Sequence, residues 1–538
     1  MPIISNDQNF NPNSLNVPDL YVVIKKPPGF IKGIPTSSAW VEGTASWGAM
    51  NVPTLMGGID DLASTFGGVT ADSFNDPYDL PTAAQVAFAQ ADQQNGLTVY
   101  GNRIGDGTET AAAYSIPDTT SGTPLLGFKL SGKYKGTLGN GIVATVAESS
   151  TKTGCFNLTI SHPILGAERF ANIPGGEAGV FSNAAIAAIN NGQGTLRAKS
   201  QIVTASSLTA TNTSLDPAVG QYQLQGGTDG RNVGSSNFIG DPTLDPPTGI
   251  YTLNTLDDPP SVAWCAGLTD SEVFSDIQAQ MDSLAIVGLL TVPIGTDVPT
   301  AINLAKTLGI DSPNVAYCKD WVYWYDTTAG AQRLVDPAAF IGGRLAALAP
   351  AQSPLNKAVN QVIGTERMNA DSGMKRYTPA QIGQLSDAGF LFISNPVPGG
   401  KYWGIRTGNN TCSDLVRKVV EYARETNYLA HSFDATMGKA VGQLQSTDPA
   451  DSLRQLVKLE LDTFLATEKK NKQIDNFLTV CDLTNNDPTV IATHFMTADV
   501  YVRYMSSVLY FLINLQGGTT VSISATTITE EQAQQVGV

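Results

Sequence analysis

Charge is scarce in this chain of 538 residues. Lys, Arg, Asp and Glu together make up 15%, against roughly 25% in ordinary soluble proteins. Histidine occurs only at His162, His431 and His494, never in an HExxH or HxH spacing. A metal site or a Ser-His-Asp triad would have to gather its partners from distant segments, so these are read as satisfied structural residues. Cys155, Cys265, Cys318, Cys412 and Cys481 form no CxxC pair. That excludes a disulfide framework and a zinc knuckle, and fits small core residues in a reducing cytoplasm. The Gly-rich stretches at 101–107, 136–141 and 226–230 lack the GK[ST] that holds phosphates and Mg²⁺. Adjacent acids (Asp60-Asp61, Asp257-Asp258, Glu530-Glu531) point to different sides of an element and build no two-carboxylate site. No catalytic, cofactor-binding or metal site is expected, and no cofactor. The longest apolar run, 284–294, is short of the ~20 residues that cross a bilayer. The opening MPIISNDQNF has no signal-peptide pattern, so neither membrane insertion nor conventional secretion is expected. Net charge is −16, and the longest basic cluster is Lys469-Lys470-Asn471-Lys472. Nucleic acid, which needs clustered Lys and Arg, is a poor partner.

What is present is an order of elements with a strand at each end. Residues 1–19 are polar and Asn-rich, expected to be extended or disordered on their own. Leu20, Tyr21, Val22, Val23 and Ile24 then make a β-type run. Past Gly517-Gly518, the stretch opened by Thr519 places Val521 and Ile523 on one face and Thr520, Ser522 and Ser524 on the other. Neither terminal strand has an evident partner in the chain. A strand on a flexible lead can add to the edge of another molecule's sheet, and Gly517-Gly518 suits a hinge, because Gly tolerates the φ change of a swinging arm.

The rest reads as a multidomain α/β (α+β) chain. A layered core at 20–117 resumes at 251–516, where strands and helices alternate. Between them, 118–250 is dense in Ser, Thr and Gly and is read as an inserted, mostly β domain, with Phe156, Leu158 and Ile160 alternating onto one face. The arms are 1–19 and 517–538. Helices are expected to open at Thr82 (with Gln85), Thr269 (with Glu272), Thr300, Asp336-Pro337, Thr378 (with Gln381) and Asp448-Pro449, with another over 413–428. Strands are expected at 262–266, within 284–290, at 315–325, at 477–482 and around VYVRY. The aromatic stripe Trp321, Tyr323, Trp324 and Tyr325 is read as part of a strand buried on both faces rather than a sugar platform.

Four stretches, in order, resemble the contractile tail sheath proteins of bacteriophages and related phage-like particles. They are residues 18–67 (with SWGAMNVP), GLTVYGNRI followed by GKYKGTLGNGIVATV, LQGGTDGRNVGSSNFIG, and GGKYWGIRTGNN. The last is the most specific, and it precedes LVRKVVEYARET. Arg417-Lys418 stands where the family has a double Arg, 371–385 carries extra residues, and Lys469–Lys472 replaces a Gly-containing turn.

The resemblance implies a structural subunit of a contractile sheath. Copies of the chain would then form stacked hexameric rings around a tail tube, in a metastable extended state that contracts irreversibly when a baseplate triggers it. Its implied partners are itself, the tail tube protein, and the baseplate and tail terminator proteins; its implied place is the virion, after assembly in the host cytoplasm. The terminal strands would join sheets of neighbouring subunits, Lys469, Lys470 and Lys472 would face an acidic tube, and 118–250 would face outward. A solvated helix end suiting the macrodipole is the alternative for the lysines. For the whole chain the alternatives are an α/β enzyme with an appended β domain, or another self-assembling tail component such as a tube or baseplate protein.

Overall fold

Six nearly continuous apolar strands organise the molecule. In the computed structural model they lie in one sheet, with β1 (Ser38–Gly43), β3 (Thr98–Arg103), β4 (Val262–Cys265), β5 (Val287–Thr291), β6 (Val315–Lys319) and β7 (Phe390–Ser394) all parallel. Short antiparallel strands close the two edges: β2 (Thr54–Met56) pairs with β3, and β8 (Gly404–Ile405) with β7. The order across the sheet is β8-β7-β6-β5-β4-β1-β3-β2. The structure describes residues 3–5, 21–23, 31, 33–91, 96–118, 126–176, 179–208, 216–369, 371, 373–513 and 515. Residues through Tyr504 form one compact unit, and the chain from Met505 onward a second.

Both faces of this sheet are covered, which is why its strands are mostly apolar. On one face lie α1 (Leu80–Phe88) and α2 (Pro337–Ala347), sharing a core with Val41, Val99, Trp264, Leu289 and Leu391. Every residue of α2 is buried. Gly343 permits the contact, since a Cβ there would stand 2.6 Å from Ala87 Cα. The other face carries helices Phe274–Leu284, Val298–Leu308 and Pro379–Asp387, which bury Ile277, Ala301 and Leu385.

A second core belongs to antiparallel sheets built from 113–223. One has three strands (Ala113–Pro117, Leu126–Gly132, Val203–Ser207), the other four (Val143–Glu148, Cys155–His162, Gly166–Pro174, Gly220–Gln223). Phe128, Leu158, Ile160, Phe170 and Phe181 fill it, with Trp47 contributed from the loop after β1. A third core, around Leu429, Leu461, Phe464 and Ile474, unites α3 (Val420–Met437), α4 (Ser452–Lys470) and the hairpin of β9 (Ile474–Val480) and β10 (Asp499–Tyr504).

The capping signals at Asp336 and Thr378 are used as expected. The helix starts expected at Thr269, Thr300 and Asp448-Pro449 shift by one to three residues, with Asp270, Asp297 and Asp451 as the caps, and three further local expectations are corrected. The helix expected at Thr82 is capped by Asp79, whose carboxylate accepts from Thr82 N at 2.9 Å, so Thr82 lies in the first turn. The single strand expected over 315–325 breaks at Asp320, whose φ is +67°. Lys319 Nζ, 2.7 Å from Asp320 Oδ1, and Tyr377 Oη, 2.5 Å from Oδ2, hold that turn, and Val322–Asp326 leaves for another sheet. Tyr325 is consequently exposed. The helix expected over 413–428 begins only at Val420. Before it the chain is tethered: Ser413 bonds Asp311, and Asn410 Nδ2 donates to the carbonyls of Arg417 and Pro313. Leu415 and Val416 are left exposed.

Candidate functional site

A doubly wound sheet offers one natural ligand crevice, outside the carboxyl ends of the strands where the order reverses. Here that is between β1 and β4, and the chain fills it with its own loop. Thr44 N donates to Tyr78 O at 2.8 Å, and Leu80 N to Thr44 O at 2.9 Å. Gly43 and Gly267 are needed for this seating: a Cβ on either would come within 2.3 Å of the Tyr78 or Pro77 carbonyl, and Gly267 has φ +63°. The polar groups below are turned inward. Asp336 accepts from Gly267 N and Thr291 Oγ1. Burial pushes the Glu42 carboxyl well above the usual range, against the hydrogen bonds from Asn102 and Cys265.

Two of the resembling motifs interlock beside this plug. Asn140 Nδ2 donates to Gly227 O at 3.0 Å, and Gly227 N returns a bond to Asn140 Oδ1 at 2.8 Å. Asp229 accepts from Thr137 N and Oγ1 at 2.5 and 2.9 Å. Arg231 then ties this clasp to the core, with ion pairs to Asp229 (2.9 Å), Asp76 (2.8 Å) and Asp79 (3.0 Å). Burial disfavours the Arg231 charge, but Asp79 and Asp229 outweigh it and raise its pKa. Arg103, at the end of β3, is fully buried and donates to the carbonyls of Gly48, Lys135 and Asp229. Burial lowers its pKa to about 10, against the pull of Asp229 and Glu109.

The most specific motif closes the sheet edge. Thr407 Oγ1 donates to Phe390 O at 2.6 Å, Arg406 N to Phe392 O, and Gly404-Ile405 forms β8.

The surfaces available to other molecules lie elsewhere. In the β9–β10 hairpin neither strand has a further neighbour among the described residues. Leu478 and Tyr501, directly opposed across it, are both exposed. Lys469 and Lys470 end α4, and Lys472 follows at φ +59°; all three are exposed. Lys469 Nζ donates to Asn476 Oδ1 at 3.0 Å. Tyr21–Val23 is a strand, but it has a partner in the chain: it pairs in parallel with Ile3–Ser5, inside the polar lead. Leu20, Ile24, Gly517, Gly518, Thr519, Val521 and Ile523 lie outside the described residues.

The histidines stay apart. His162 accepts from Ile164 N and Leu165 N, His431 Nε2 lies 3.1 Å from Ala285 O, and His494 is exposed at φ +64°. All five cysteines are buried and free. Among the described residues no three-ligand metal cluster occurs, and no helix is long and apolar enough to cross a membrane. One surface was passed over in reading the sequence. Val508, Leu509, Tyr510, Phe511, Leu512, Ile513 and Leu515 are all exposed, six of them above 70%, in a stretch that is neither helix nor strand. The run VLYFLINL was the available signal.

No protein-family model matches the chain, and no curated protein sequence does. Solved structures do. A sheath tail protein from Desulfitobacterium hafniense is similar over 86% of this chain and 93% of its own, at 16% identity and a TM-score of 0.54. One from Listeria innocua is similar over 87% and 95%, at 13% and 0.56. The sheath of the anti-feeding prophage in its contracted state is similar over 94% and 100%, at 11% and 0.51. This chain has the fold of the contractile tail sheath proteins.

Proposed function

We propose that the chain is the structural subunit of a contractile tail sheath. Copies stack as hexameric rings around a tail tube in a long metastable state, capped by a terminator protein. They shorten when the baseplate triggers them and drive the tube through the host envelope. The observation that carries this reading is a likeness spanning 94% of the chain to sheath subunits solved in contracted assemblies, among them an extracellular contractile injection system. Free energy stored in subunit packing needs no cofactor, and a filled switch-point crevice argues against the α/β-enzyme alternative. The arms complete the device: Leu20–Ile24 and 519–523 would extend the sheet edges of neighbouring copies, with Gly517-Gly518 as the hinge. The open edges of β9–β10 are suited to receive them. The inserted region, 118–250, would face outward.

Negative-stain microscopy of the purified chain tests the reading. Long hollow tubes are the expected product, whereas globular particles favour the enzyme and narrow rings a tube protein. Removing 517–538 should leave a folded monomer; a truncated chain that still builds normal tubes would rule out the arm's role.

A further inference from the structure

Glu425 of α3 is 1% exposed, and neither of its carboxyl oxygens has a hydrogen-bond partner among the described residues. Such a group is costly to ionise. Burial raises its pKa to about 8; Glu468 of α4 pushes it the same way, and Arg424 pulls it back. Arg424 donates instead to the carbonyls of Leu348 and Ala349, at 2.8 and 3.3 Å. Glu468 is itself buried and accepts from Tyr428 Oη at 3.1 Å. The ionisable groups around Glu425 are Glu421, Arg424 and Tyr428 on its own helix, Glu468 from α4 and Tyr504 from β10.

The same helix holds the segment leading into β1 and the end of β10. Gly33 presses on Tyr428 so closely that a Cβ there would stand 2.2 Å from the hydroxyl. Ile34 N donates to Ser432 Oγ at 3.3 Å. Tyr504 Oη shares a 2.7 Å hydrogen bond with Thr426 Oγ1.

We propose that Glu425 and Glu468 form a proton-operated latch: while Glu425 keeps its proton, α3 and α4 stay packed and the segments at Gly33–Ile34 and Tyr504 are held, and its ionisation loosens the contact and the two segments together. The direction follows from linkage. Between the ordinary value of 4.5 and about 8, the folded chain holds a proton that the unfolded chain gives up. The stabilisation is complete below the ordinary value and is lost as pH rises through the raised one.

Hydrogen exchange on the full-length, unassembled chain tests this, with rates corrected for intrinsic base catalysis. Protection over Val420–Met437 and Ser452–Lys470 should fall about tenfold or more between about pH 6.5 and about pH 9.5. Glu425→Gln, which is isosteric and uncharged, should keep its protection at both values. Glu468→Gln removes the repelling charge and should move the transition to lower pH. Proteolysis beside residues 33–36 and Tyr504 should quicken with pH in the wild type alone. Protection that does not change in the wild type, or an equal loss in Glu425→Gln, overturns the latch. Helices that loosen while residues 33–36 and Tyr504 stay protected overturn its link to those segments.

Discussion

Asp229 shows what single side chains do here. Three donors converge on its buried carboxylate, so Asp229→Ala should leave Arg231 partly uncompensated and cost about 3–5 kcal/mol. Chemical denaturation should show this as a lower midpoint. The motif that contains Asp229 was legible, but its function was not. Its partner Thr137 lies 92 positions away, and Asn140 lies 87 from Gly227. Sequence displays a run of Gly, Asp and Asn without displaying what it grips. Asp320 is the converse case, because a non-glycine at φ +67° inside an apolar stretch gives no local sign of the break.

At the scale of elements, alternation and caps predict well where burial is two-sided and fail where side chains override them. Strands β4, β5 and β6 and the Asp336 cap could be read because each residue's local preference agrees with its tertiary place. The start of α3 could not, since the carbonyls before it are held by Asn410 rather than by a helix. The Tyr21–Val23 strand could be read, but its partner Ile3–Ser5 was hidden in a polar lead. The lysines at the end of α4 suit the helix dipole whether or not they meet a tube. Reversing Lys469, Lys470 and Lys472 to Glu separates the two roles. Co-sedimentation with tube protein should weaken markedly while the melting temperature falls only slightly; unchanged co-sedimentation would remove the tube contact.

Across the whole molecule, stability should be graded. The strands β4, β5 and β6, buried on both sides, should exchange their amides most slowly, and the exposed Met505–Ile513 stretch most rapidly; comparable rates in the two would contradict the layered description. The grading bears on how force is borne. Gly33–Ile34 and Tyr504 both rest on α3, so if the arms carry load as proposed, a pull delivered through either segment would meet the same rod, and its path would run from one to the other through that helix. In an assembled sheath, as proposed, the large central sheet would stand outside that line of tension and keep its packing while neighbouring copies pull on one another.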